Sequence, residues 1–137
     1  MKSDLINKTV SLYSGLGWKS LFTKIRFWDA PFVEVEKLVP KSGVMIDLGC
    51  GEGIFTNYLA LASNNRKITG VEIDKGRIKQ ADKRLKNVKF IQGDATKLKV
   101  PRADIIFMFH LLHHLSSFND QVKMINECAK KLKKMEN

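Results

Sequence analysis

A glycine-rich turn placed directly after an apolar run constrains this chain more than any other stretch. Val44-Met45-Ile46-Asp47-Leu48 reads as a strand covered on both faces, because its apolar residues are nearly continuous. Gly49, Gly51 and Gly53 follow at alternate positions. Glycine lacks a Cβ, so it can turn the chain sharply and bring the backbone against a ligand. A helix is expected over Thr56–Ala62, with its free N–H groups directed back at whatever the turn holds. Strand, glycine turn and helix are the beginning of a nucleotide-type site. The dinucleotide fingerprint Gly-x-Gly-x-x-Gly would need glycine at position 54, where this chain has Ile54. Asp47, two residues before the first glycine, would repel a pyrophosphate at short range and would welcome a cationic group such as an amine. The plainer alternative is an ordinary strand-to-helix turn.

The remainder of the chain repeats the alternation of strand and helix. Leu12, Leu16, Leu21, Phe22, Ile25, Phe27 and Trp28 are interleaved with Lys19, Lys24 and Arg26, and Gly15 and Gly17 divide them into two short helical pieces. This segment, residues 1–30, is expected either to pack on the domain and close the cleft or to lie on a membrane surface through residues 12–28. Asp29 with Pro31 predicts a helix start, ended by Pro40 and Gly43. Asn64-Asn65-Arg66 reads as a loop and Lys67–Ile73 as the second strand. Asp74 caps a helix with Ile78, Ala81 and Leu85 on one face and lysines and arginines on the rest. Val88–Gln92 is the third strand, Ala103–Phe109 the fourth, and Asn119–Lys134 a final amphipathic helix. Such alternation implies an α/β fold with a parallel sheet, whose ligands bind beyond the strands' carboxyl ends. The glycine turn, Glu72, Asp94 and His110 all belong to that rim. Glu72 stands about 20 residues beyond the turn, where a ribose-binding carboxylate belongs.

Composition narrows the partners without choosing one. The chain has 137 residues, 44% of them hydrophobic, which suits one domain with its own core. No apolar run is long enough to cross a bilayer, and no signal-peptide core opens the chain, so a cytoplasmic location is expected, with peripheral membrane contact as the variant. Cys50 and Cys128 stand far apart, which indicates neither a disulfide framework nor a zinc site. A net charge of +10 favours acidic partners: nucleic acid, anionic lipid or an anionic substrate. The basic helix after Asp74 carries no interleaved aromatic residue, which weakens the nucleic-acid option.

Taken together, residues 40–134 resemble the class I S-adenosylmethionine-dependent methyltransferases. The resemblance implies a three-layer, Rossmann-like parallel sheet in the order 3-2-1-4. It implies that Asp47 and the backbone of Gly49, Cys50, Gly51 and Gly53 hold the methionine end of the cofactor. Glu72 would hold the ribose, and Ile73 would pack on adenine. Asp94 would face the exocyclic amine and the Ala95 N–H a ring nitrogen, while residues 103–115 resemble motif IV and the helix after it in the branch that acts on small molecules and lipids. Phe109 occupies the place where amino-methylating relatives often carry asparagine or aspartate, so an Asn-Pro-Pro-Tyr type motif is absent. The expected activity is methyl transfer to a small-molecule or lipid acceptor, with RNA a weaker option.

His110 and His113 are the available candidates for a general base, although packing or capping is the plainer account of a histidine on a helix. Methyl transfer from a sulfonium depends mainly on proximity and alignment. The family pattern continues with three further strands that help to shape the substrate pocket, and this chain ends at Asn137. A shortened form is therefore expected, with the fourth strand at the sheet edge and inviting self-association. A non-catalytic cofactor-binding or assembly module is the alternative from another class. A nicotinamide dehydrogenase is disfavoured by Asp47 and Ile54.

Overall fold

A computed structural model describes residues 2–99, 101–109 and 111–133. Helix α1 (Lys2–Ser11), a 3-10 turn (Ser14–Leu16) and α2 (Trp18–Asp29) precede α3 (Phe32–Leu38). Strand β1 (Gly43–Leu48), α4 (Ile54–Ala62), β2 (Arg66–Glu72), α5 (Lys75–Ala81) and β3 (Val88–Gln92) follow. Strand β4 (Ile105–Phe107), a 3-10 turn (Leu112–His114) and α6 (Phe118–Lys131) complete the described chain. The four strands form one sheet in the order β3-β2-β1-β4, and every pairing is parallel. This is the α/β, Rossmann-like order expected from the sequence.

The period of two along β1 divides the core into two layers. Met45 joins the cluster of Tyr13, Phe32, Phe55, Tyr58 and Leu59 on the face covered by α1 to α4. Ile46 and Leu48 join Val71, Met124 and Cys128 beneath α6 on the other face. Asp47 shares the Met45 face and so points at α4, where its carboxylate accepts a hydrogen bond from Thr56 Oγ1 at 2.7 Å.

Several local readings need correction. Asp29 does not cap α3; it closes α2, and α3 starts after Pro31 with no side-chain cap. Ala30 before the proline is extended, as its ring demands, and the Phe27–Phe32 edge contact at 5.7 Å sets the bend. Helix α5 ends at Ala81 rather than running to Leu85. Arg84 takes a left-handed φ of +57°, its N–H bonded to Asp82 Oδ1, and this turns the chain so that Leu85 reaches the core from a loop. The fourth strand, expected from Ala103, starts only at Ile105 because its amino flank has other partners. Asp104 Oδ2 accepts from the Val44 N–H at 2.8 Å, and Ala103 pairs in parallel with Leu132. The outer edge of β4 is thus already engaged at its amino end.

Arg66 is not a loop residue. It begins β2 and is fully buried, with Nε donating to Pro40 O at 2.8 Å and Nη1 to Leu59 O at 3.0 Å. Its Nη2 donates to Glu36 Oε1 at 2.8 Å and to Val39 O at 3.0 Å. Lys41 Nζ also donates to Glu36. Burial pushes the Glu36 carboxyl up, but Lys41 and Arg66 outweigh it and hold the group below its ordinary range.

Candidate active site

The site is built where β1 gives way to the glycine turn. Gly49, Gly51 and Gly53 take φ values of +71°, +58° and +73°, a region costly for residues with a Cβ. The turn is pinned from below, since the N–H groups of Gly49 and Cys50 both donate to Val71 O, at 2.8 and 3.0 Å. Gly53 also has no room for a side chain: a Cβ there would stand 2.8 Å from Ala81 Cβ and 3.0 Å from the Phe90 ring. At Gly51 the same position opens on free space, which leaves that backbone accessible to a ligand.

Above the turn lies a cavity of about 550 Å³. Asp47, Gly49, Cys50, Gly51, Glu72, Ile73, Phe109 and His113, all singled out from the sequence, line it. Glu72 closes β2 as a buried side chain, one oxygen accepting from the Ile73 N–H at 3.2 Å and the other 3.4 Å from Arg77 Nη1. Asp47 is 3% exposed, and burial, reinforced by the negative charge of Glu72, pushes its carboxyl up to about 7 despite the Thr56 hydrogen bond. Burial likewise drives the Cys50 thiol upward, so it is no nucleophile. Ile73 is 64% exposed at the rim, an apolar surface offered to a flat group. Phe109 forms one wall, 4.7 Å from Phe55 and 5.6 Å from Phe32 between ring centres.

Not every expected residue converges. Gly53 sits below the turn, against Ala81 and Phe90. Asp94 and Ala95 follow β3 and line a neighbouring cavity of about 970 Å³. Thr96 donates to Asp94 Oδ1 from its N–H at 2.9 Å and its hydroxyl at 2.6 Å, which holds that carboxyl below its ordinary range. His110 lies outside the described residues.

Sequence reasoning missed the groups that come from elsewhere in the chain. Phe22 and Arg26 reach the cavity from α2, and Arg77, Leu111 and His114 join its lining. Tyr13 is fully buried beneath the turn; its hydroxyl donates to Glu52 O at 2.6 Å and accepts from Asn57 Nδ2 at 2.9 Å. Burial raises its phenol well above the usual range, so it stays a neutral strut for the glycine turn. No local signal marks Tyr13, whose partners are 39 and 44 residues away.

Comparison with known proteins gives this geometry a family. The model for a methyltransferase domain matches residues 45–135. The chain belongs to the methyltransferase-domain family. The demethylmenaquinone methyltransferase of Thermotoga maritima is 28% identical over 134 residues, covering 97% of this chain and 53% of the relative. Among solved structures, coclaurine N-methyltransferase bound to N-methylheliamine and SAH superposes with a TM-score of 0.65 at 19% identity, covering 75% of this chain and 33% of that one. The SAM-bound amino pentose methyltransferase CalS10 of Micromonospora echinaspora gives 0.63 at 18%, covering 75% and 45%. At such identities the structural likeness speaks for the fold. The chain spans about half the length of the curated relative it matches.

Proposed function

We propose that this chain binds S-adenosylmethionine in the cavity above the glycine turn and forms the cofactor-binding part of a methyltransferase for a small, apolar or lipid-like acceptor. The observation that carries the reading is the pair of buried carboxylates, Asp47 and Glu72, on adjacent strand ends beside an open glycine backbone. Two acids there suit a ligand with an ammonium and sugar hydroxyls and oppose a pyrophosphate. Asp47 with the turn backbone would take the ammonium end, Glu72 the ribose, and Ile73 the adenine face. Arg77 would yield its long contact with Glu72 to the hydroxyls. Asp94 and Ala95, which line the neighbouring cavity, would take the adenine edge.

When bound, the cofactor supplies a methyl group on a positively charged sulfur. The chemistry it would supply there is in-line transfer of that methyl to an acceptor nucleophile, the sulfur keeping the electron pair of the broken bond. The protein's share is alignment and exclusion of water. Phe22, Phe32, Phe55 and Phe109 supply an apolar wall suited to a ring or hydrocarbon acceptor, in keeping with the quinone-type name of the Thermotoga relative. Among the described residues, His113 and His114 line the cavity and would receive a proton released by the acceptor.

Calorimetric titration of S-adenosylmethionine tests the reading. Each of Asp47→Ala and Glu72→Ala is expected to weaken binding about 10–100-fold, the worth of a charged hydrogen bond. NAD should not compete. Absence of binding by the unmutated chain would sink the proposal, and binding without methyl transfer to any apolar acceptor would favour a non-catalytic cofactor module. Self-association through the uncovered backbone of β4 belongs to the same proposal, and a strictly monomeric mass by light scattering at high micromolar concentration would remove it.

A further inference from the structure

Helix α2 carries its most apolar face outward. Trp18, Leu21, Phe22, Ile25 and Trp28 recur at steps of three and four and so form one stripe. All five are exposed, Trp18 at 86% and Trp28 at 94%. The opposite face, turned to the protein, carries the buried Thr23 and the half-buried Phe27, which packs on Tyr58 at 5.1 Å. Core packing explains an inward apolar face; it does not explain this one.

We propose that this stripe docks on an anionic phospholipid surface. Three observations favour that occupant. Charge is complementary: residues 1–28 hold five Lys or Arg against one Asp, and Lys24 is exposed beside the stripe. The composition suits a membrane interface, where tryptophan combines an apolar body with a polar N–H and flanking cations meet lipid phosphates. Size argues against a second protein: the stripe is ~15 Å long and ~10 Å wide from helix geometry, far below the ~800 Å² per partner that a stable interface needs. A bilayer demands no shape complementarity. Phe22 lies both on the stripe and in the cavity lining, so the docked face would place the cavity mouth at the lipid boundary. The inference holds whatever ligand the cavity takes.

The only two tryptophans of the chain, Trp18 and Trp28, sit on this stripe, so tryptophan emission, excited selectively over tyrosine, reports on it alone. With vesicles of phosphatidylglycerol and phosphatidylcholine, emission is expected to shift to the blue and to be quenched by brominated acyl chains. Leu21→Glu/Ile25→Glu keeps both reporters and alters only exposed positions. It should weaken vesicle binding at least ~10-fold, as expected when two side chains lose apolar burial. Lys24→Glu should also weaken it, and the loss relative to the parent should grow as salt is lowered. Unshifted emission with the anionic vesicles overturns the proposal. So does equal binding to pure phosphatidylcholine, which removes the anionic choice. A concentration-dependent blue shift without lipid, accompanied by a dimer mass, overturns it in favour of a second copy.

Discussion

Arg66→Met is expected to lower the unfolding free energy by about 3–5 kcal/mol, the usual consequence of removing one member of a buried charged pair. Methionine keeps most of the volume, so cavity formation contributes little. The loss is polar. Pro40, Leu59 and Val39 carbonyls lose their donor, and Glu36 keeps only Lys41, whose side chain is largely exposed. A domain of this size is stable by only about 5–15 kcal/mol, so the change would consume a large part of the margin. Urea unfolding of the two proteins measures it. Glu36→Gln, which still offers an acceptor oxygen to Nη2, should cost clearly less. A loss below about 1 kcal/mol for Arg66→Met would show that the network is not a stabilising one. The physical point is connectivity: one guanidinium ties α3, the segment before β1, the end of α4 and the start of β2.

Asp47 should make both folding and binding depend on pH, in opposite senses. Its folded carboxyl titrates near 7, against an ordinary value of 3.8. Between those values the folded chain holds a proton that the unfolded chain has released. Stability of the ligand-free protein therefore falls as pH rises from about 4 to 7 and levels off above. The gap sets an upper bound of roughly 4 kcal/mol for this single group. Asp47→Asn should flatten that dependence and raise the melting temperature at pH 8. A cationic ligand prefers the ionised carboxylate, so S-adenosylmethionine affinity should increase as pH rises towards 7, by up to about tenfold per pH unit. Asp47→Asn should remove this slope as well as most of the affinity. Thermal melts and titrations at pH 5.5, 6.5 and 8 check both arms. A variant melting no higher than the parent at pH 8 would show that the buried carboxylate is not strained in the ligand-free protein.

The features legible from sequence share one property: they are periodic or local. The apolar run of β1, the alternation of strand and helix, and the glycine spacing each depend on neighbours within a few residues. They led to the parallel sheet and to the rim on which Asp47, Gly51, Glu72 and Ile73 meet, while the strand order 3-2-1-4 came from the family resemblance. One end point failed where a distant partner intervened, since Ala103 pairs with Leu132 outside the fourth strand. The other failed on a local turn that the helical period hides: the Asp74-capped helix stops at Ala81, and Asp82 Oδ1 accepts from the Arg84 N–H where Arg84 takes a left-handed φ.

By itself, then, the sequence determined the scaffold: which stretches are strands, which turn is glycine-bound, and that an acid precedes that turn. Tertiary structure alone decided how those parts are charged and held. Burial, not identity, moves Asp47 to near neutrality, because a carboxylate in a low-dielectric interior loses the water that favours its ionised form. Burial also turns Arg66 from an apparent loop cation into a knot of four hydrogen bonds. Packing places Tyr13 beneath a turn 39 residues away and leaves the apolar stripe of α2 facing outward. These outcomes depend on which surfaces lose their water once the chain has closed, and no window along the chain carries that information.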